Sequence, residues 1–144
     1  KFRSNVSLYE QITIFKQQVE LSEKHELPMI LHVVKGFDEI IQLKKLLKPK
    51  QSWVIHGFNK YNLAAQLIGH GFYLSFGESL LKNDKLQEAI LKVPMDKIFF
   101  ETDDADVKIE NIYTFAADLL NIELSELKKN INKNLNTITH GRLA

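Results

Sequence analysis

Apolar positions in this chain alternate between two periods. From Ser7 to about Glu26, the residues Leu8, Ile12, Phe15 and Val19 recur at helical spacing, and Ser7 with Glu10 has the S-x-x-E spacing of a capping box. Pro28 then opens "PMILHVV", a continuous apolar run of strand length. A second helical stretch follows over about Phe37 to Leu47, with Ile40, Ile41 and Leu47 apolar and Pro49 just beyond its end. "SWVIHG" reads as the second strand. Asn59 is placed to cap a helix running to about Ile68 and stopping at Gly69 or Gly71. "GFYLSF" is the third strand, a short helix covers about Asp84 to Leu91 before Pro94, and "DKIFFE" is the fourth strand. Two helices close the chain, over about Glu110 to Leu120 and Ser125 to Asn134.

Strand centres fall near Ile30, Val54, Leu74 and Phe99, at intervals of 24, 20 and 25 residues that each hold helical sequence. That rhythm predicts α/β architecture: βα units around a parallel sheet, in a single domain over residues 1–144. The strands are apolar throughout rather than alternating, the pattern of a sheet covered on both faces. Four strands can form an open sheet. They cannot form a closed (β/α)8 barrel, which takes about 250 residues.

Composition narrows the function classes. The chain has 144 residues, enough for one domain with a core, and 44% hydrophobic and 26% charged residues, as in ordinary globular proteins. With 19 basic and 18 acidic residues its formal charge is +1, which argues neither for nor against nucleic acid. The absence of cysteine excludes disulfides, Cys-type zinc sites and thiol catalysis. No apolar run reaches the roughly 20 residues of a membrane span, and "KFRSNVSLYE" is not followed by the apolar stretch of a signal peptide. The expected location is cytoplasmic, with no membrane partner.

Parallel βα folds gather their sites at the carboxyl ends of the strands. Here those tips carry His32, His56, the "SFGES" segment and "ETDDAD" from Glu101. Two histidines and the aspartate Asp103 suit zinc, manganese or magnesium-like ions. The intervals between them have no local motif meaning; only a shared rim would connect them. The inert readings are concrete too. His32 could hydrogen-bond nearby backbone, and Asp103, Asp104 and Asp106 could be acids at the start of the following helix. His25, His70 and His140 read as a helix end, a turn and a tail. "LKKLLKPK" and "LKKNINKN" read as solvated helix faces, and Trp53 as core.

At these strands the chain resembles the TatD family of metal-dependent hydrolases, which are amidohydrolase-like (β/α)8 barrels. "LPMILHV" is similar to that family's "lPviiHsR" strand, and "WVIHGFNKYNLAAQLIGHGFYLSFGE" to its "vfHcFsGs…GfyiSfsG" segment. "KIFFETDDAD" is similar to its "illETDsP" strand, and "NKNLNTI" to its closing "N..rlf" element. These run in family order from about residue 8 to 138.

The resemblance implies a phosphodiesterase or deoxyribonuclease-like hydrolase using one or two divalent ions, Zn, Mn or Mg, and acting on DNA or another phosphoester. It implies His32, His56 and Asp103 as metal ligands, with Asp103 also orienting the attacking water. A metal lowers the pKa of water bound to it and offsets charge on the phosphate. Lys35, Asn59 and Glu78, in the loops after three of the strands, are the residues expected to touch substrate. Departures exist: Val33 and Val34 stand where the family has serine or cysteine and arginine, leaving Lys35 as a partial substitute for a bidentate clamp, and Ala105 replaces the proline. The family's "HxH" strand and "GEiGLD" strand have no counterpart, and Lys1 would follow the latter directly. The chain is therefore expected to be strands five to eight of the barrel and part of a longer protein, with weak or no activity by itself. Two copies pairing through their sheet edges could restore a ring, which sedimentation would read directly. A non-catalytic protein using the barrel for binding or assembly is the competing expectation. A flavodoxin-like domain is disfavoured because "HVVKGFDE" makes a poor phosphate loop.

Overall fold

A computed structural model describes residues 6–142; Lys1, and the end of the closing "HGRLA", lie outside the described residues. The order is α1 (Leu8–His25), β1 (Met29–His32), α2 (Phe37–Leu47), β2 (Trp53–His56), α3 (Ala64–Gly69), β3 (Tyr73–Phe76), α4 (Ser79–Lys82), α5 (Asp84–Ile90), β4 (Ile98–Phe100), α6 (Ile109–Leu120) and α7 (Leu124–Thr139). The strands form one parallel sheet in the order β1-β2-β3-β4. The expected βα rhythm is present.

The capping box forms as spaced. Glu10 N–H donates to Ser7 Oγ at 3.2 Å, and Ser7 N–H donates to the Glu10 carboxylate at 2.9 Å. Hydrogen bonds from the Ser7 side chain and backbone hold the Glu10 carboxyl below its usual range. Asn59, however, caps nothing. Phe58 is fully buried and its N–H donates to Ser75 O at 2.9 Å, so the chain stays tied to β3 past the end of β2. A 3-10 turn over Tyr61–Leu63 must follow before α3 can begin.

Side chains alternate across the sheet. Leu31, Trp53, Ile55, Leu74, Phe76 and Ile98 face the helices and form the main core. The opposite face carries Ile30, His32, Val54, His56, Tyr73, Ser75 and Phe99. Its middle is closed by Ile138 of α7, packed with Val54 and Tyr73. Its β1 side is open: Ile30 is 62% exposed. The expectation of a sheet covered on both faces therefore fails at β1.

Helix α7 runs beneath the amino ends of the strands. The Asn134 amide donates to Met95 O at 2.8 Å and Ile98 O at 2.9 Å, at the root of β4. His140 pairs with the buried Gln51 amide oxygen at 3.0 Å, just before β2, and Arg142 reaches His25 O and the Glu26 carboxylate at the end of α1. His140 is therefore an anchor rather than a tail residue. Among the described residues, no helix is long and apolar enough to cross a membrane.

One lysine of "LKKLLKPK" departs from the solvated-face reading. Lys44 lies with Nζ 4.9 Å from the Trp53 ring and 4.8 Å from the Phe72 ring. Burial, then the nearby Lys97 charge, lower its pKa to about 8 against the opposing pull of Glu23. The unfolded chain thus binds more protons than the folded one between about pH 8 and the ordinary 10.5, so stability rises with pH across that window. Lys44→Met is expected to raise Tm at pH 7 by about 2–6 °C, the size of roughly 1 kcal/mol in a chain this long. The advantage should shrink toward pH 10.5 in thermal melts followed by circular dichroism. A variant less stable at pH 7 would mean that the cation–ring contacts outweigh the burial of charge.

Candidate metal centre

Parallel pairing of β1 with β2 sets His32 directly beside His56 in register. Both side chains project from the same sheet face at the carboxyl ends of their strands. His32 Nδ1 and His56 Nε2 approach to 2.8 Å, with ring centroids 4.8 Å apart. Two lone pairs cannot face each other at that distance, so one nitrogen carries the proton and the other accepts it. A cation replacing that proton would be met by both nitrogens, the donor type that zinc and similar ions favour.

The other edge of His56 faces acids. His56 Nδ1 lies 3.3 Å from Glu101 Oε1 and 4.0 Å from Asp103 Oδ2. The ligating atoms of His56, Glu101 and Asp103 fall within 4.8 Å of one another, a second grouping able to hold an ion. Glu101 and His56 are about four-fifths buried, whereas the Asp103 side chain is 57% exposed at the mouth. Asp103 has a left-handed backbone with φ of 49°, a conformation aspartate tolerates better than most residues. This turn aims its carboxylate back toward His56.

The structure therefore brings together His32, His56 and Asp103 and adds Glu101. Sequence reasoning passed over Glu101 as merely the start of "ETDDAD". The signal was available: at a period of two, Glu101 shares a face with Phe99 and thus with the histidines. Asp104 and Asp106 lie in the loop ahead of α6, whose first-turn acid is Glu110, so the helix-start reading does not apply to them. Lys35, Asn59 and Glu78 are not joined to the cluster by any hydrogen bond or ion pair among the described residues. Lys35 and Asn59 are exposed in loops after β1 and β2. Glu78 pairs with Lys82 one turn along.

The family model described as TatD related DNase matches residues 1–140. An uncharacterized metal-dependent hydrolase of Haemophilus influenzae is 28% identical over 102 residues, covering 69% of this chain and 39% of that protein. A protein of Enterocytozoon bieneusi named "Putative deoxyribonuclease TATDN1 homolog" is 35% identical over 108 residues, covering 74% of this chain and 38% of its own length. The crystal structure of a TatD-family hydrolase from Entamoeba histolytica superposes with a TM-score of 0.76 over 94% of this chain and 58% of that one, at 18% identity. The fold is shared with that hydrolase. This chain spans about two fifths of the length of these two curated relatives.

Proposed function

The chain belongs to the TatD-related DNase family, and on that premise we propose that it is a metal-dependent hydrolase acting on phosphodiesters such as DNA, its four strands corresponding to strands five to eight of the family barrel. The observation that carries the reading is the 2.8 Å convergence of His32 Nδ1 and His56 Nε2 at adjacent strand tips. The named metal dependence and deoxyribonuclease names of its relatives support it. The uncovered β1 side of the histidine-bearing face, where Ile30 is exposed, supports the assignment of the strands.

In this reading His32 and His56 hold a divalent cation, zinc, manganese or magnesium. Such an ion, when bound, supplies water activation and neutralises charge on the phosphate. Asp103 lies on the solvent side of His56, where its carboxylate can accept a hydrogen bond from water and orient it toward substrate. Glu101 lies deeper and stays engaged with His56 and the backbone. Lys35 on the rim would offer a single point charge to a phosphate where the family has a forked arginine, predicting weak hold on substrate.

Asp103→Asn tests the assignment, since asparagine also tolerates the left-handed backbone. With Mn²⁺, the unaltered chain is expected to release nitrophenolate slowly from bis(p-nitrophenyl) phosphate, chelator-sensitively, and the variant about a hundredfold more slowly, at the low end of what one positioned acid–base group contributes. Metal bound by the unaltered chain without any turnover would favour the second reading, a binding or assembly protein, which Val33, Val34 and the open β1 edge favour.

A further inference from the structure

We infer that Glu101 is a positioning residue that locks His56 in the tautomer protonated at Nδ1, so that Nε2 is the atom offered, with His32 Nδ1, to a divalent cation. The inference rests on the reading of the two histidines as a cation-binding pair. Three strands converge to build the hold. Gly57, after β2, adopts φ of 60° and donates its N–H to Glu101 Oε1 at 2.6 Å. His56 Nδ1 lies 3.3 Å from the same oxygen. Gly77, after β3, leaves the space its Cβ would take 3.5 Å from Glu101 Cγ, letting the acid's stem lie flat against the chain. A carboxylate oxygen can only accept, so the His56 atom facing it is an N–H donor. The remaining nitrogen, Nε2, then has its lone pair directed at His32.

This arrangement decides between the two edges of His56. A cation placed among His56, Glu101 and Asp103 would displace the Nδ1 proton and compete with Gly57 for Glu101 Oε1. A cation between the histidines disturbs neither contact. Carboxylates that hold the far nitrogen of a metal-binding imidazole work in this way, and losing one typically costs about 10–100-fold in metal affinity.

The test uses the full chain labelled with ¹⁵N in its histidine rings, with and without Zn²⁺, beside Glu101→Gln and Glu101→Ala. Long-range ¹H–¹⁵N spectra should show His56 protonated at Nδ1 in both states of the unaltered chain. Calorimetry should show Zn²⁺ affinity falling about 10–100-fold in Glu101→Ala, with mixed His56 tautomers and unchanged circular dichroism, and a smaller loss in Glu101→Gln, whose amide oxygen still accepts from His56 Nδ1–H. A Zn²⁺-loaded chain with the proton on Nε2 overturns the inference, as does a Glu101→Ala variant with unaltered affinity and tautomer. Failure of Zn²⁺ to bind the unaltered chain removes the cation reading itself. The metal-free spectrum still judges Glu101 separately, and Nε2–H there overturns its assigned role.

Discussion

His56→Ala should abolish Zn²⁺ and Mn²⁺ binding by this chain. Calorimetry on the unaltered protein is expected to show binding in the micromolar range, and the variant none within reach of the method. The loss should exceed the roughly 10–100-fold typical of removing an outer-shell partner, because an atom that touches the ion would be gone. The fold should survive. His56 is the last residue of β2 and partly exposed, and Glu101 keeps its bond to the Gly57 amide when the ring is removed. The variant's Tm should therefore stay near that of the unaltered chain, which separates loss of a ligand from loss of structure. His32→Ala should behave alike, since the two rings meet edge to edge. Undiminished binding in His32→Ala alone would place the ion among His56, Glu101 and Asp103, and undiminished binding in both variants would place it on the acids; either outcome would remove the histidine pair as the basis of the functional reading.

The strand tips were legible because each apolar run ends where its chemistry begins: "ILH" and "VIH" need only the rule that parallel sheets place sites at carboxyl ends. The pairing of His32 with His56 was not legible. It depends on β1 and β2 being neighbours in a particular register, a tertiary fact that no local spacing encodes. Glu101 was missed for a related reason. Its role comes from Gly57 and Gly77, residues that matter here for their backbone geometry and lack of bulk.

Helices were legible in proportion to their periodicity. α2 matches its expected bounds, while the single turn of α4 carries too few residues to show a period. The sequence places the end of α7 at about Asn134, whereas the helix runs to Thr139. In the folded chain Ile131, Asn134 and Ile138 share one buried face, so the pattern continues through a polar residue whose hydrogen bonds are satisfied. Lys44 shows the converse. It sits among lysines that read as solvated, yet the helix turns it onto Trp53.

Asn134→Ala should be among the most destabilising single changes in the chain. Asn134 is 3% exposed, and its amide satisfies two backbone carbonyls, Met95 O and Ile98 O, where the chain enters β4. Alanine would leave both carbonyls short of a donor and open a small void. Each unmet buried group costs about 1–3 kcal/mol, so a total of about 3 kcal/mol and a fall in Tm of roughly 10 °C are expected. Asn134→Asp should do no better, because a carboxylate presents only acceptors to two carbonyl oxygens. Asn136, two residues on, is the contrast. Its buried Oδ1 has no hydrogen-bond partner among the described residues, so Asn136→Ala removes an unmet acceptor and should cost about 0.5 kcal/mol or less. Thermal melts of the three variants decide this, and a loss below about 1 kcal/mol for Asn134→Ala would mean that water replaces the amide at the root of β4. Zn²⁺ affinity below the melting transition should be unchanged in Asn134→Ala, because Asn134 grips the amino end of β4 whereas Glu101 and Asp103 follow its carboxyl end. The residues of "NKNLNTI" would then act on the site only through the stability of the sheet that carries it.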